Sequence, residues 1–160
     1  MEIRQATEAD LISIQNIAHI AWHTTYECIL RPDTRASVLA EFYDEANLLH
    51  SLHRPGVVFY VAEVEGKVIG FAQALPRSRK GGYELARIYI LPGWQRQGVG
   101  TALLEAIEAR IPGQRLGVFV EHENQAALAF CRARGFEPVR NIELPLYSEM
   151  VSFIELRKQL

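Results

Sequence analysis

The chain has 160 residues, 49% of them apolar, and a formal net charge of −2. Such a chain can bury a hydrophobic core without disulfide or metal staples, so a single domain over 1–160 is expected. Its charge leaves no footprint for nucleic acid, no apolar run reaches the length of a membrane span, and Cys28 and Cys131 lack metal-ligand spacing; with no signal-peptide core at Met1-Glu2-Ile3-Arg4, a reduced cytoplasmic protein is expected.

Ile3-Arg4-Gln5 reads as a first strand, and Thr7-Glu8-Ala9-Asp10 as a helix start with an N-cap hydroxyl and acids in the first turn. Leu11, Ile14, Ile17, Ala18 and Ala21 then recur at helical spacing to about His23. After Arg31-Pro32-Asp33, the run Val38, Leu39, Phe42, Ala46 and Leu49 keeps helical period until Arg54-Pro55-Gly56 breaks it, which predicts one second helix. Between the two lies Trp22-His23-Thr24-Thr25-Tyr26, aromatic and polar at once.

Val57 to Val64 and Lys67 to Leu75 read as a hairpin around Glu65-Gly66, apolar enough for the middle of a sheet. The basic cluster Arg77-Ser78-Arg79-Lys80 beside Gly81-Gly82 reads as a solvated loop. Tyr83 to Leu91 is a strand stopped by Pro92-Gly93, and Thr101 to Arg110 a helix with Val99, Leu103 and Ile107 on one face. Leu116 to Val120 reads as a short buried strand, and Asn124 to Arg134 as a helix closed by Gly135. Strands around Phe136 to Arg140 and Leu146 to Leu156 complete a mixed sheet with helices on each side.

Chemistry concentrates between Tyr83 and Arg110. Gly98 and Gly100 open the helix, where unpaired N–H groups and the positive dipole end favour an anion and glycine lets a ligand come close. The same pair also suits a close helix–strand contact, so phosphate binding and packing both stay open. No Lys-Ser/Thr follows the glycines, which excludes a P-loop, and the third glycine and ribose-binding acid of a dinucleotide fold are missing.

Glu84-Leu85-x-x-Ile88-Tyr89-Ile90-x-Pro92-x-x-Gln95-Arg96-x-Gly98-x-Gly100-x-x-Leu103 resembles the central motif of the GCN5-related N-acetyltransferases (GNAT). Asn124-x-x-Ala127-x-x-Phe130-Cys131-x-x-x-Gly135-Phe136 resembles that family's second signature. The resemblance implies an α/β (α+β) GNAT fold, a central mixed, largely antiparallel twisted sheet of about seven strands flanked by about four helices. It implies acetyl-CoA as co-substrate, with no metal. It places the pyrophosphate on Gln95, Arg96, Gln97, Gly98, Val99, Gly100 and Thr101, and the pantetheine arm along the backbone of Ile88, Tyr89 and Ile90 and on Asn124, with Phe130 beside it.

It further implies acetyl transfer to an amine by direct attack in a ternary complex. An ammonium of pKa ~10.4 must lose a proton before it attacks, and Glu84 matches the glutamate that many members use, often through water. Glu121 and Glu123 are second choices. The family's tyrosine, which protonates the leaving thiolate, is replaced by Cys131; this thiol is either a substitute acid or one more residue of the apolar stripe Ala127, Phe130, Cys131. Tyr147 or solvent could supply the proton instead. The first interhelical connection walls the acceptor pocket, so Trp22, His23 and Tyr26 become candidates to touch substrate, with Tyr147 a further one, or Trp22 and Tyr26 simply pack.

A small-molecule amine is the expected acceptor, with a protein N-terminus or lysine as alternative. A coenzyme A-binding sensor with little turnover is the rival reading. A homodimer through the last strands is compatible with the fold.

Overall fold

The computed structural model describes residues 1–160 and arranges them as seven strands and five α-helices. β1 (Glu2–Gln5), β2 (Val58–Val64), β3 (Lys67–Pro76) and β4 (Tyr83–Ile90) pair antiparallel in succession. A crossover through α4 (Val99–Arg110) brings β5 (Arg115–Glu121) parallel to β4. α5 (Gln125–Ala133) leads to β6 (Glu137–Leu146), and β7 (Glu149–Gln159) turns back to insert between β5 and β6. The spatial order is therefore β1-β2-β3-β4-β5-β7-β6.

α1 (Leu11–Tyr26), α2 (Pro32–Phe42) and α3 (Glu45–Leu52) cover one face, meeting Phe59, Val61, Val68, Phe71 and Val151 of the sheet. α4 and α5 cover the other, where Leu103, Leu104, Ile107, Leu128 and Cys131 pack on Ile69, Leu85, Leu116, Val118 and Leu156. Burying both faces explains the near-continuous apolar runs of β2 and β3. No helix is long and apolar enough to cross a membrane.

Several elements differ from the sequence expectation. A 3-10 turn, Glu8–Asp10, precedes α1, and Asp10 closes it by accepting from the Thr7 backbone N–H (2.8 Å) and hydroxyl (3.2 Å). The expected second helix is two. Apolar periodicity runs straight across the break at Tyr43 and Asp44, but the Asp44 carboxylate accepts from the Asn47 N–H at 3.2 Å and starts α3 afresh. The last hairpin is longer and turns later than expected, at Tyr147-Ser148, so Leu146 belongs to β6. β6 is an exposed edge strand, which tolerates Pro138 and Pro145 although neither can donate to a ladder.

One irregularity shapes the middle of the sheet. Gln73 pairs with Arg87 and Ala74 with Leu85, so Ala86 is an extra residue that bulges from β4. Arg87 anchors the bulge: Nη1 donates to Gln73 Oε1 (3.0 Å) and Ser51 Oγ (3.3 Å), Nη2 to the Phe42 carbonyl (2.8 Å), and its guanidinium stacks on Tyr43.

Candidate active site

β4 and β5 pair only at Tyr83–Leu116 and Glu84–Gly117. From Leu85 onward β4 has no ladder to β5, and the two strands part beside the bulge. The splay opens a groove of about 900 Å³ whose walls are Ile88, Tyr89 and Ile90 of β4, Ala21, Thr24 and Thr25 of α1, and Asn124, Ala127, Phe130 and Arg134 around α5. Its far end is the turn into α4, with Gln95, Arg96, Gly98, Gly100 and Thr101.

That turn is built for a tight approach. Arg96 and Gly98 have φ of +60° and +83°, a left-handed geometry in which glycine pays no Cβ penalty, and Gly98 caps α4. Gln95 Nε2 donates to the Ile90 carbonyl (3.1 Å) and Gln97 Nε2 to the Gly93 carbonyl (2.9 Å), which fixes the loop and leaves the helix amides facing the groove. Gly100 does a different job. A Cβ there would stand 3.0 Å from the Phe130 ring and 3.3 Å from Ile90, so this glycine serves close packing of α4 on the groove wall. The packing reading of the glycine pair therefore holds for Gly100 but not for Gly98, where nothing lies within 4 Å of an added Cβ.

Arg134 was not legible in the sequence as a site residue. Its guanidinium lies 4.0 Å from the centre of the Phe130 ring, donates through Nε (3.0 Å) and Nη2 to Thr101 Oγ1, and through Nη1 to the Phe130 carbonyl (3.2 Å). A cation is thereby held at the α4 N-terminus, where an anion would bind. Volume, left-handed turn, helix amides and Arg96 with Arg134 together fit a long diphosphate-bearing substrate. Asn124 caps α5 by accepting from the Ala127 N–H at 3.2 Å, and it lines the groove as well.

Glu84 is half-buried and stands at the closed end of the splay, next to the groove but not among its lining residues. Leu85 points into the α4/α5 core, so alternation turns Glu84 to the opposite face. Burial pushes its carboxyl above the usual range, Arg77 and Arg54 pull it down, and Glu155 adds to the rise. Glu121 is buried, accepts from the Glu123 N–H (2.8 Å) and sits 2.8 Å from His122 Nδ1, so its carboxylate is occupied in the turn before α5.

The aromatic candidates separate. Trp22 is buried in a cluster with Tyr26 (centroids 4.5 Å apart), Tyr43 (6.2 Å) and Tyr89 (6.4 Å). Tyr26 is part of that cluster on the side of Asn124, and burial raises its pKa, as it does for Tyr43 and Tyr89. His23 is exposed. Tyr147, a candidate for the acceptor pocket, lies against α2, where its hydroxyl bonds to Glu41 Oε2 and stands 3.2 Å from the Ser37 carbonyl; it does not line the groove. Cys131, the candidate acid, is 3% exposed and faces the α4/α5 core rather than the groove, and burial pushes its thiol up to about 11. It packs among the apolar residues of α4, α5 and the sheet, and the nearby Arg134 charge offsets only part of that rise.

The model of the acetyltransferase (GNAT) family matches residues 15–136. The chain belongs to the GNAT family. Membership carries the class of reaction, acetyl-CoA-dependent acyl transfer. Among curated relatives, an uncharacterized N-acetyltransferase, YuaI, of Bacillus subtilis is 36% identical over 105 residues, 64% of this chain and 59% of YuaI. The spermidine N(1)-acetyltransferase of Thermoplasma acidophilum is 26% identical over 146 residues, 86% of this chain and 88% of that one. Among solved structures, a PaiA N-acetyltransferase from Thermoplasma acidophilum in complex with coenzyme A superposes with a TM-score of 0.81 at 23% identity, covering 99% of this GNAT chain and 98% of the other. The seven-stranded mixed sheet is the GNAT fold.

Proposed function

We propose that this chain transfers the acetyl group of acetyl-CoA to a primary amine of a small molecule, by direct attack within a ternary complex. The observation that carries the reading is the parting of β4 and β5 immediately after Glu84, opposite the left-handed turn into α4. A thioester lying in that groove has its diphosphate toward Gly98 and Arg134 and its acetyl end toward Glu84.

In this reading Glu84 takes a proton from the incoming ammonium through a water, and its raised pKa brings it closer to the operating pH of a general base. The neutral nitrogen attacks the carbonyl carbon. The oxyanion is met by backbone N–H groups of the free β4 edge around Ile88, which need no reorganisation. The C–S bond breaks as the carbonyl reforms; the nitrogen passes its second excess proton to water in the groove, and the thiolate takes a proton from that same water, which leaves the neutral amide and the free thiol. A thiol of reference pKa ~8.5 asks little of its proton donor, so the core position of Cys131 is no obstacle. Holding amine and thioester in register supplies much of the acceleration, ~7–11 kcal/mol in well-oriented systems. The spermidine acetyltransferase among the relatives supports a small acceptor.

Calorimetry with acetyl-CoA, followed by product detection on a panel of amines, tests the reading. Binding with turnover of a small amine is expected. Binding without turnover would favour a sensor, and turnover of peptides alone would move the acceptor to proteins.

A further inference from the structure

A second cleft, of about 250 Å³, lies beyond the closed end of the splay and is lined by Arg77, Lys80, Gly81, Tyr83, Arg115, Gly117 and Arg157. It is not part of the groove described above. Sheet register sets its floor: Glu84 of β4, Gly117 of β5 and Arg157 of β7 stand in one row across three strands. Gly117 leaves a gap in that row, and Arg77 fills it, with Nη1 3.0 Å from where a Cβ on Gly117 would be.

Beneath the cleft is Glu155, fully buried and bonded by Arg140 Nε (2.6 Å), Arg157 Nη2 (3.1 Å) and Arg77 Nη1 (3.4 Å). One carboxylate therefore serves three arginines. Lys80 and Arg115 have no carboxylate partner; Arg115 Nη2 donates only to the Lys80 carbonyl at 2.9 Å. Four cationic side chains line a pocket that holds no acid of its own. Of the basic segment 77–80, expected as a solvated loop, Ser78, Arg79 and Lys80 are exposed as expected, whereas Arg77 folds back and is only 16% exposed.

Position joins this cleft to the chemistry. Gly117 is the direct neighbour of Glu84. Along β5 the residues facing the same side are Arg115, Gly117, Phe119 and Glu121, and Arg77 also stacks 5.8 Å from the Phe119 ring. At about 3.3 Å per residue, the step from Gly117 to Phe119 at the mouth of the splay is roughly 7 Å. That is the length of a short aliphatic chain.

We propose that the acceptor amine carries an anionic group, carboxylate or phosphate, which this cleft holds through Arg115, Lys80, Arg157 and Arg77 while the amine nitrogen lies beside Glu84. The inference rests on the transferase reading above and narrows its substrate class. A polyamine, cationic along its length, has no complement here, whereas a bidentate guanidinium matches either anion.

The test measures thiol release from acetyl-CoA with matched acceptors: 5-aminopentanoate against 5-aminopentanamide, 3-aminopropyl phosphate against 3-aminopropanol, and spermidine as the cationic probe. The anionic member of at least one pair is expected to have a kcat/KM about tenfold or more above its neutral partner, the worth of one or two charge-assisted hydrogen bonds. The pair that responds identifies carboxylate or phosphate. Arg115→Glu and Lys80→Glu, both at solvent-facing positions, should each abolish that preference while the acetyl-CoA Kd from calorimetry stays unchanged. Equal or better use of the neutral members or of spermidine, no turnover of the anionic ones, or a preference that survives both variants would overturn the inference. Failure of acetyl-CoA itself to bind would instead overturn the transferase reading.

Discussion

Glu84 and Gly117 are the last residues to face each other before β4 and β5 separate. The pairing fixes the backbone of Glu84 on the closed side of the splay, and the bulge at Ala86 turns the following residues away from β5. A carboxylate here is held by the sheet rather than by a loop, which suits the general-base role proposed for it.

Glu84→Gln should lower kcat by about 10²-fold, within the usual worth of a general base, while the acetyl-CoA Kd remains as it was. Because burial raises the Glu84 pKa, kcat/KM should fall as pH drops through a value above the ordinary glutamate range. That acidic limb should vanish in the variant. A limb at the ordinary range, or one that persists in Glu84→Gln, would remove Glu84 from the role.

Gly98→Val places a β-branched residue at φ +83°, where L side chains are strained by roughly 1–2 kcal/mol. Nothing lies within 4 Å of the added Cβ, so the fold should survive with a modest loss of Tm. Acetyl-CoA affinity should drop at least about tenfold as the α4 amides lose their approach to the diphosphate. Unchanged affinity in calorimetry would show that the turn does not cradle it.

Cys131→Ala separates packing from catalysis. The buried thiol lies among Leu128, Phe136 and their neighbours, so its loss should cost about 1 kcal/mol, read as a Tm lower by a few degrees. Turnover measured below the new Tm should stay within about twofold. A fall of 10²-fold or more would restore the thiol as an acid.

Glu155 is held down to about 2 although its burial works the other way, because Arg140 and Arg157 bond its carboxylate. A depressed carboxylate contributes stability above its unfolded pKa and loses it as pH falls from the ordinary glutamate value toward about 2. Glu155→Ala should cost about 3 kcal/mol at neutral pH by leaving its arginines uncompensated, and should flatten stability against acid between those values. Chemical denaturation at neutral and acidic pH would measure both; equal loss at both would rule out the linkage.

The two glycine-containing motifs were legible because their spacing is local: strand end, turn and helix start follow one another between Tyr83 and Arg110, and a single helix with its cap and closing glycine makes up the second. The bulge at Ala86 was not, since an extra residue shows only in the partner's register. Helical period continued across Tyr43 and Asp44, so one side-chain cap divided what the pattern joined. The arginine cluster was hidden for another reason. Arg77, Arg140 and Arg157 are far apart in the chain and meet at Glu155 only because β7 enters between β5 and β6. Nor was the place of Tyr147 legible, because the length of the last hairpin, which carries it to α2, shows only in the strand pairing.

That hairpin has a consequence for how the molecule is made. Its tip grips the N-terminal helices: the Glu149 carboxylate accepts from the Arg31 N–H (3.0 Å) and from the Thr34 hydroxyl (2.5 Å), and the Ser148 hydroxyl donates to Asp33 (3.2 Å). β6, moreover, has no neighbour but β7. During synthesis the first helices and the central strands are made long before these partners are, so the two strands of the sheet beyond β5 cannot dock until β7 has been made. A chain stopped before β7 would leave Glu155 and Arg157 unmade and α2 unclasped, with β5 exposed as a sticky edge.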